Sequence, residues 1–426
     1  MPGYPLHGGL ELWLLFSTCQ TNIWHRLRRM TRNLLDRLEP MRLHALEQIW
    51  AVLPDARLVG GAVRDLMVGR SIADIDLAVP QPPEEVMQRL KAQGMTVVPT
   101  GLAHGTVTAV IDSAPYEITT LRRDVETDGR HAVVCWTDNW QEDAARRDFT
   151  INAMSCDSTG TVHDYFGGQH DLANGSVRFV GDATLRIQED ALRILRFFRF
   201  WGRYGRGQAD AQAMHAITTQ AELLNGLSVE RIWSELKRIL AGPKVLDVVY
   251  LMQQAGILPV LLPEGAHVPL FAQLMAFNSP ADALLRLAAL VPDKSADLAR
   301  RLKFSRAEAA RLKAMQAEPV PLPDMSDAQL RHLLADTPPD ILTARSWLYQ
   351  ARHADVLGTE LRQRLARLEI PVFPLAGRDL LEAGCQPGPH VGQVLKDVRN
   401  WWQQGGCTAD KQTCLAHALG LAKALP

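Results

Sequence analysis

The stretch LVGGAVRDLMVGRSIADIDLAV, residues 58–79, decides how the rest of the chain is read. Leu58-Val59 closes a short apolar run and reads as the end of a strand. Gly60-Gly61 lets the backbone turn where a side chain would clash. Ala62 to Val68 predicts a short helix, and Gly69 is its natural stop. Asp74-Ile75-Asp76-Leu77 then alternates charged and apolar residues. The period of a strand is two, so both aspartates fall on one face and Ile75 and Leu77 on the other.

Two carboxylates on one strand face repel each other unless a positive charge joins them. A divalent cation answers that need, and an oxygen-only ligand set suits magnesium. A diglycine turn ahead of them can bring backbone N–H groups onto a phosphate. Together these features describe metal-assisted nucleotidyl transfer, in which a hydroxyl attacks a metal-held nucleotide phosphate. Asp-x-Asp alone reads more readily as a strand edge ending in surface aspartates. The Gly-Gly-x-x-Arg-Asp upstream turns the reading toward chemistry.

This segment closely resembles the head signature of the class II tRNA nucleotidyltransferase and bacterial poly(A) polymerase family. The resemblance implies that Gly61 and Arg64 contact a triphosphate. It implies that Asp74 and Asp76 are catalytic and carry the magnesium ions. A second signature follows at residues 142–154, EDAARRDFTINAM. Its resemblance implies that Arg147 grips phosphate through its planar fork. It also implies that Asp148 accepts from the ribose 2′-hydroxyl and that Asn152 supports the turn. Without its neighbours, Arg-Arg-Asp is a common surface ion-pair pattern.

Between the two signatures the chain reads as a helix to Ala92 and strands at Thr96–Pro99, His104–Ile111 and Tyr116–Leu121. The last two form a hairpin across Asp112–Pro115. Glu117 is either a third carboxylate of the metal site, as the resemblance suggests, or a surface strand residue. His104 reads as structural. Residues 122–140 read as a polar loop centred on Gly129-Arg130-His131. In the resembled family a flexible loop here acts as a lever that switches the pocket from C to A addition. Asp164 and Asp171 read as turn and hinge residues.

From Asp182 the pattern turns helical. Arg193, Arg196 and Arg199 fan over one side of a helix, and Leu192, Phe197 and Phe200 make it largely buried. Buried arginines need anionic partners, either a triphosphate or internal carboxylates. The family's base-reading motif is Glu-Asp-x-x-Arg, matched by Glu189, Asp190 and Arg193. Cytosine and adenine each present an amino donor beside a ring-nitrogen acceptor. A carboxylate with a guanidinium complements that edge, and uracil and guanine reverse it. Asp190 and Arg193 are therefore the expected protein template, with Arg196 and Arg199 toward the phosphates. Ser228 and Arg231 read as a capped helix start, and Glu235 as a brace for Arg193 or Arg231.

The remaining chain is Leu/Ala-rich, with prolines at 259, 263, 269, 319, 321, 323, 371 and 374 separating helices. Gly377–Leu380 and Gly388–Gly392 resemble the family's tail motif and read alternatively as helix caps. Trp401-Trp402 reads as core packing. The expected fold class is α+β: a nucleotidyltransferase head with a mixed β-sheet and flanking helices, followed by an all-helical neck, body and tail. The expected boundaries are an extension at 1–40, head at 41–178, neck at 179–240, body at 241–340 and tRNA-binding tail at 341–426. The extension carries an arginine-rich stretch, His25–Arg37, and Met30 and Met41 are alternative starts.

The chain has 426 residues and a formal net charge of −1, which permits nucleic-acid binding only through clustered basic residues. Its six cysteines form no Cys-x-x-Cys pair, which argues against zinc and disulfides and for a reducing, cytoplasmic setting. No apolar run approaches the ~20 residues of a membrane span. The expected partners are tRNA, CTP and ATP, with Mg²⁺ as cofactor and no membrane. The expected activity is template-independent addition or repair of the 3′-terminal CCA of tRNA with release of pyrophosphate. Poly(A) synthesis, partial CC or A addition, and non-catalytic tRNA binding are the rival readings.

Overall fold

A computed structural model describes residues 33–127, 132–292 and 295–424. Strands and helices part company along the chain: among the described residues every strand precedes Tyr165. The chain divides into two compact units, residues 1–223 and 224–426.

The first unit starts with a 3₁₀ turn, Leu34–Arg37, that buries Leu34 and Leu35. Arg37 donates to the carbonyls of Leu66 and Met67, so these residues are tied to the sheet's first helix. The arginine-rich stretch before Asn33, including Met30, lies outside the described residues. Helix α1, Pro40–Val52, leads into β1, Arg57–Val59. Helix α2, Gly61–Met67, follows the glycine turn, and Gly69 ends it with φ +70°. Strand β2, Asp76–Val79, and helix α3, Pro83–Ala92, come next. Strands β3, Thr96–Gly101, β4, Thr106–Ile111, and β5, Ala114–Thr120, complete one side of the sheet.

The β4–β5 hairpin turns at Asp112 and Ser113, both at positive φ. That two-residue geometry matches the twist of the flanking strands and sets their register. Strand β5 also pairs in parallel with β2, setting Asp76 beside Glu117. The residues expected to form a polar loop instead form a two-stranded ribbon, β6, Arg122–Thr127, and β7, Ala132–Trp136. Val133, Val134 and Trp136 favour extended backbone. Gly129-Arg130-His131 lies outside the described residues. Helix α4, Trp140–Ala145, precedes β8, Met154–Cys156, and β9, Val162–Asp164. The main sheet is mixed, with order β3-β4-β5-β2-β1-β8-β9.

Helices α5, Gly168–Asn174, α6, Ala183–Glu189, α7, Leu192–Tyr204, and α8, Ala211–Thr219, close the first unit. Glu189 and the arginine row lie on two helices rather than one: α6 stops at Glu189, and Asp190 is extended. Asp164 accepts from the backbone N–H groups of Gly168 and Gln169, both at 2.9 Å. Buried Asp171 takes the Thr150 hydroxyl at 2.6 Å and the Arg178 Nε at 3.0 Å. Both act as the turn-fixing residues expected of them.

Every regular element among the described residues of the second unit is a helix. Prolines 319, 321 and 323 separate Arg306–Met315 from Asp327–Asp336 as expected. Pro259, expected between helices, lies within the short helix Ile257–Leu261, in the first turn, where no N–H is needed. Ser228 begins the helix Val229–Leu240 without a side-chain cap, and buried Glu235 pairs with Arg238 at 3.3 Å. Trp402 packs against Phe373 in a core, and Trp401 stacks on His417. Asp379 accepts from Ala376 N at 2.7 Å and from Lys411, which realises the capping reading of Gly377–Leu380.

Candidate active site

Asp76 opens β2, and Asp74, expected on the same strand, lies two residues ahead of it. Asp74 and Asp76 are exposed while Ile75 and Leu77 are buried, the alternation that a period of two demands. Glu117, exposed at the matching position of β5, adds a third negative charge. Desolvation, then Glu117 and Asp74, push the Asp76 carboxyl above its ordinary value, with Arg147 opposing. No three His, Cys, Asp or Glu side chains among the described residues converge tightly enough to cage a metal. Two acidic side chains on an open strand end nevertheless suit magnesium, which keeps waters and takes phosphate oxygens as remaining ligands. The Asp76 carboxyl is raised first by desolvation and then by the neighbouring negative charges, and such a cation would offset the second cause.

The glycine turn faces this acidic end. Gly60 has φ +62°, a region L side chains rarely enter. A Cβ there would lie 2.9 Å from Arg147 Nη1. The close approach needs Gly60; at Gly61 the nearest atom would be Arg64 Nη2, at an ordinary 3.5 Å. Arg64 is only 7% exposed. It donates to Asn152 Oδ1 and, at 3.3 and 3.0 Å, to the Asp65 carboxylate. Its guanidinium also lies over Phe200 and Tyr204, at 5.1 and 4.5 Å from the ring centres. The Tyr204 hydroxyl donates to Asp65.

Arg147 is held from two sides, by Asp143 Oδ2 at 3.1 Å and the Asn152 carbonyl at 3.4 Å. Asp148 is 8% exposed, and both its oxygens are occupied. Oδ1 accepts from Phe149 N and Asn152 Nδ2, each at 2.9 Å; Oδ2 accepts from Arg196 at 2.7 and 2.6 Å. Burial alone would raise this carboxyl. The Arg196 charge and the bonds from Asn152, Arg196 and Phe149 N outweigh it and hold the group below the ordinary carboxylate range.

An aromatic cluster sets that pairing. Phe149 packs against Phe179 and Phe200, at 4.9 and 5.3 Å between ring centres, and Phe179 stacks on Phe197. Burying these rings fixes α7 against the Asp148 turn, which leaves Arg196 facing Asp148. Internal carboxylates thus hold two of the three helix arginines, and Arg199 lies 4.3 Å over Phe200.

The proposed base-reading pair sits where α6 gives way to α7. Arg193 donates from Nη1 to Glu189 Oε2 at 2.6 Å and to the Arg186 carbonyl at 2.9 Å, and from Nη2 to the Arg146 carbonyl at 3.1 Å. Three fixed acceptors orient the guanidinium plane and leave Nε and one Nη2 proton outside these bonds. Asp190 Oδ1 accepts from Leu192 N at 3.1 Å and so starts α7. The helix break is what turns the Asp190 side chain out of the helical row.

Asp65, Asp143 and Tyr204 are the connected residues that sequence reasoning passed over. Asp65 and Asp143 both lie inside quoted signatures, so proximity to Arg64 and to Arg146-Arg147 was the available signal. For Tyr204 there was no signal beyond its place one turn from Phe200.

A mixed sheet with an acidic pair at the start of one strand, and with Arg64 and Arg147 both tied to Asn152, is the head of a nucleotidyltransferase. Residues 56–178 match the family model described as "Poly A polymerase head domain". Residues 209–268 match the model "Probable RNA and SrmB- binding site of polymerase A". The human CCA tRNA nucleotidyltransferase 1, mitochondrial, is 37% identical over 379 residues, covering 85% of this chain and 86% of the relative. The CCA-adding enzyme of Geobacillus kaustophilus is 39% identical over 228 residues, 53% of this chain and 55% of the relative. The crystal structure of the Bacillus stearothermophilus CCA-adding enzyme in complex with CTP superposes with a TM-score of 0.72 at 28% identity, over 91% of this chain and 99% of that one. The chain belongs to the CCA tRNA nucleotidyltransferase family, whose members are in general metal-dependent.

Proposed function

We propose that this protein builds or repairs the 3′-terminal CCA of tRNA from CTP and ATP, releasing pyrophosphate. The observation that carries this reading is the bonded chain from the phosphate-side arginine to the reader. Asp143 joins Arg147 to Arg146, the Arg146 carbonyl holds Arg193, and the Arg147 charge acts on Asp76. In this reading Asp74 and Asp76 hold Mg²⁺. When bound, the metal would supply positive charge beside the attacking 3′-hydroxyl and the leaving phosphates. Gly61, Arg64, Arg147, Arg196 and Arg199 grip the triphosphate. Asp190 accepts from the exocyclic amino group of C or A, and Arg193 donates to the adjacent ring nitrogen. Uracil would leave both charges unmatched, at a cost of several kcal/mol.

Asp148 enters with its carboxylate already bonded to Arg196, so reaching a ribose hydroxyl requires sharing or releasing that partner. The functional division into head at 41–178, neck at 179–240, body at 241–340 and tail at 341–426 belongs to the same proposal. So does a cytoplasmic site of action, which suits free cysteines. Among the described residues, no helix is long and apolar enough to cross a membrane.

Purified protein given Mg²⁺, CTP, ATP and a tRNA ending at its discriminator base should extend it by C, C and A and then stop. Open-ended A addition would make it a poly(A) polymerase. Arrest after CC, or addition of A alone to a CC end, would make it a partial enzyme. Binding without extension would leave a tRNA-binding protein. Asp76→Ala should reduce incorporation by about a thousandfold, several kcal/mol of lost charge stabilisation, with tRNA binding nearly unchanged. Full turnover in that variant would remove the metal assignment.

A further inference from the structure

We propose that Asp143 is a positioning residue that sets the phosphate-holding and base-reading arginines in one common geometry. The proposal rests on the reading that Arg147 grips the triphosphate and Arg193 reads the base.

Asp143 lies within α4 and is 3% exposed. Its Oδ1 accepts from Arg146 Nε and Nη2 at 2.9 and 2.6 Å and from Arg122 N at 3.3 Å. Its Oδ2 accepts from Arg147 Nη2 at 3.1 Å. One buried carboxylate therefore meets three parts of the head. Arg122 N is the root of the β6–β7 ribbon. Arg147 lies against the Gly60 turn, where a Cβ would come within 2.9 Å of its Nη1. Arg146 caps the end of α4, and its carbonyl accepts from Arg193 Nη2 at 3.1 Å.

The direction of control follows from the bonds. Arg147 has two anchors, Asp143 and the long bond to the Asn152 carbonyl. Without the first, its fork swings on a flexible stem. The Arg146 side chain folds back one turn onto Asp143, which locks the helix end from which its carbonyl points at Arg193. Without that clamp the last turn of α4 is free to fray, and the carbonyl that orients Arg193 drifts. Charge balance alone would not require this geometry: any nearby carboxylate would offset two arginines. Burial would raise the Asp143 carboxyl, but the Arg147 charge, the Arg146 charge and the bonds from Arg146 and Arg122 N outweigh it and hold the group below the ordinary value, so the clamp is in force at neutral pH.

The test uses the full-length enzyme with a tRNA primer. Asp143→Asn keeps shape and loses charge. It should raise the KM for CTP and ATP about tenfold, as expected for one weakened charge-assisted bond, with kcat nearly unchanged. UTP should be misincorporated about tenfold more often relative to CTP, because one of the three acceptors that orient Arg193, the Arg146 carbonyl, is no longer held in place. A purely structural Asp143 would lower the melting temperature and leave KM and the UTP-to-CTP ratio alone, which would overturn the proposal. Arg146→Gln supplies a second arm if Asp143→Asn fails to fold. It should weaken UTP rejection, and unchanged UTP rejection would overturn the link to Arg193. Arg147→Ala and Arg193→Ala test the underlying reading separately. If Arg147→Ala leaves KM unchanged, the triphosphate assignment fails before Asp143 comes into question. If it raises KM and Asp143→Asn does not, the Asp143 proposal alone fails.

Discussion

Asp148 and Arg196 form an ion pair with one member almost wholly enclosed. Removing one partner of such a pair leaves an uncompensated charge, so Arg196→Ala should destabilise the protein by about 3 kcal/mol, read from denaturant midpoints. The depressed Asp148 carboxyl gives a pH dependence of known sign. Its folded value lies below its unfolded one, so its contribution is complete above the ordinary Asp value of about 4 and is lost as pH falls through the depressed one. Asp148→Asn should therefore flatten the acid limb of stability, and an unaltered limb would assign it to other carboxylates. Asp76 moves the opposite way, through desolvation first and Glu117 second. In metal-free protein, Glu117→Gln should bring the Asp76 titration, followed by carboxyl NMR, back toward the ordinary value. A parallel loss of incorporation would mark Glu117 as a member of the metal site; unchanged incorporation would mark it as a neighbour only.

At the scale of the element, the turn from β1 into α2 does the work of bringing backbone close to Arg147. Gly60→Ala should cost about 1–3 kcal/mol for backbone held at positive φ. Its new Cβ would displace Arg147 Nη1, so the KM for nucleotide should rise together with the loss of stability. A variant that loses stability but keeps its KM would mean that Arg147 simply moves aside. The β6–β7 ribbon is joined to the head through Arg122 and through Trp136, whose ring sits against Gly105. Asp143 is the side chain at the ribbon's root.

All nine residues proposed for metal and nucleotide lie between positions 61 and 199, inside the first compact unit. Residues 33–223 alone should therefore bind CTP with Mg²⁺ about as well as the whole chain. They should bind tRNA more weakly, with a shallower dependence on salt, because fewer phosphates are contacted. Calorimetry and filter binding would check both. Loss of CTP binding in the fragment would show that residues beyond 223 complete the pocket.

What the amino-acid order determined by itself was local. The Asp74–Leu77 alternation, the Gly60 turn, the β4–β5 hairpin and the helical second half follow from periods of two and 3.6 and from backbone sterics, which act over a few residues. The tertiary structure decided which charge meets which. Glu117 stands beside Asp76 because two strands about forty residues apart pair in parallel. Asp148 takes Arg196 because a cluster of phenylalanines sets α7 against its turn, and the break at Asp190 separates an acidic side chain from the arginine row. A carboxylate in this chain has many arginines to choose from, and nothing in the sequence ranks them. Packing of apolar side chains brings a particular few within three ångströms or so, the reach of a hydrogen bond.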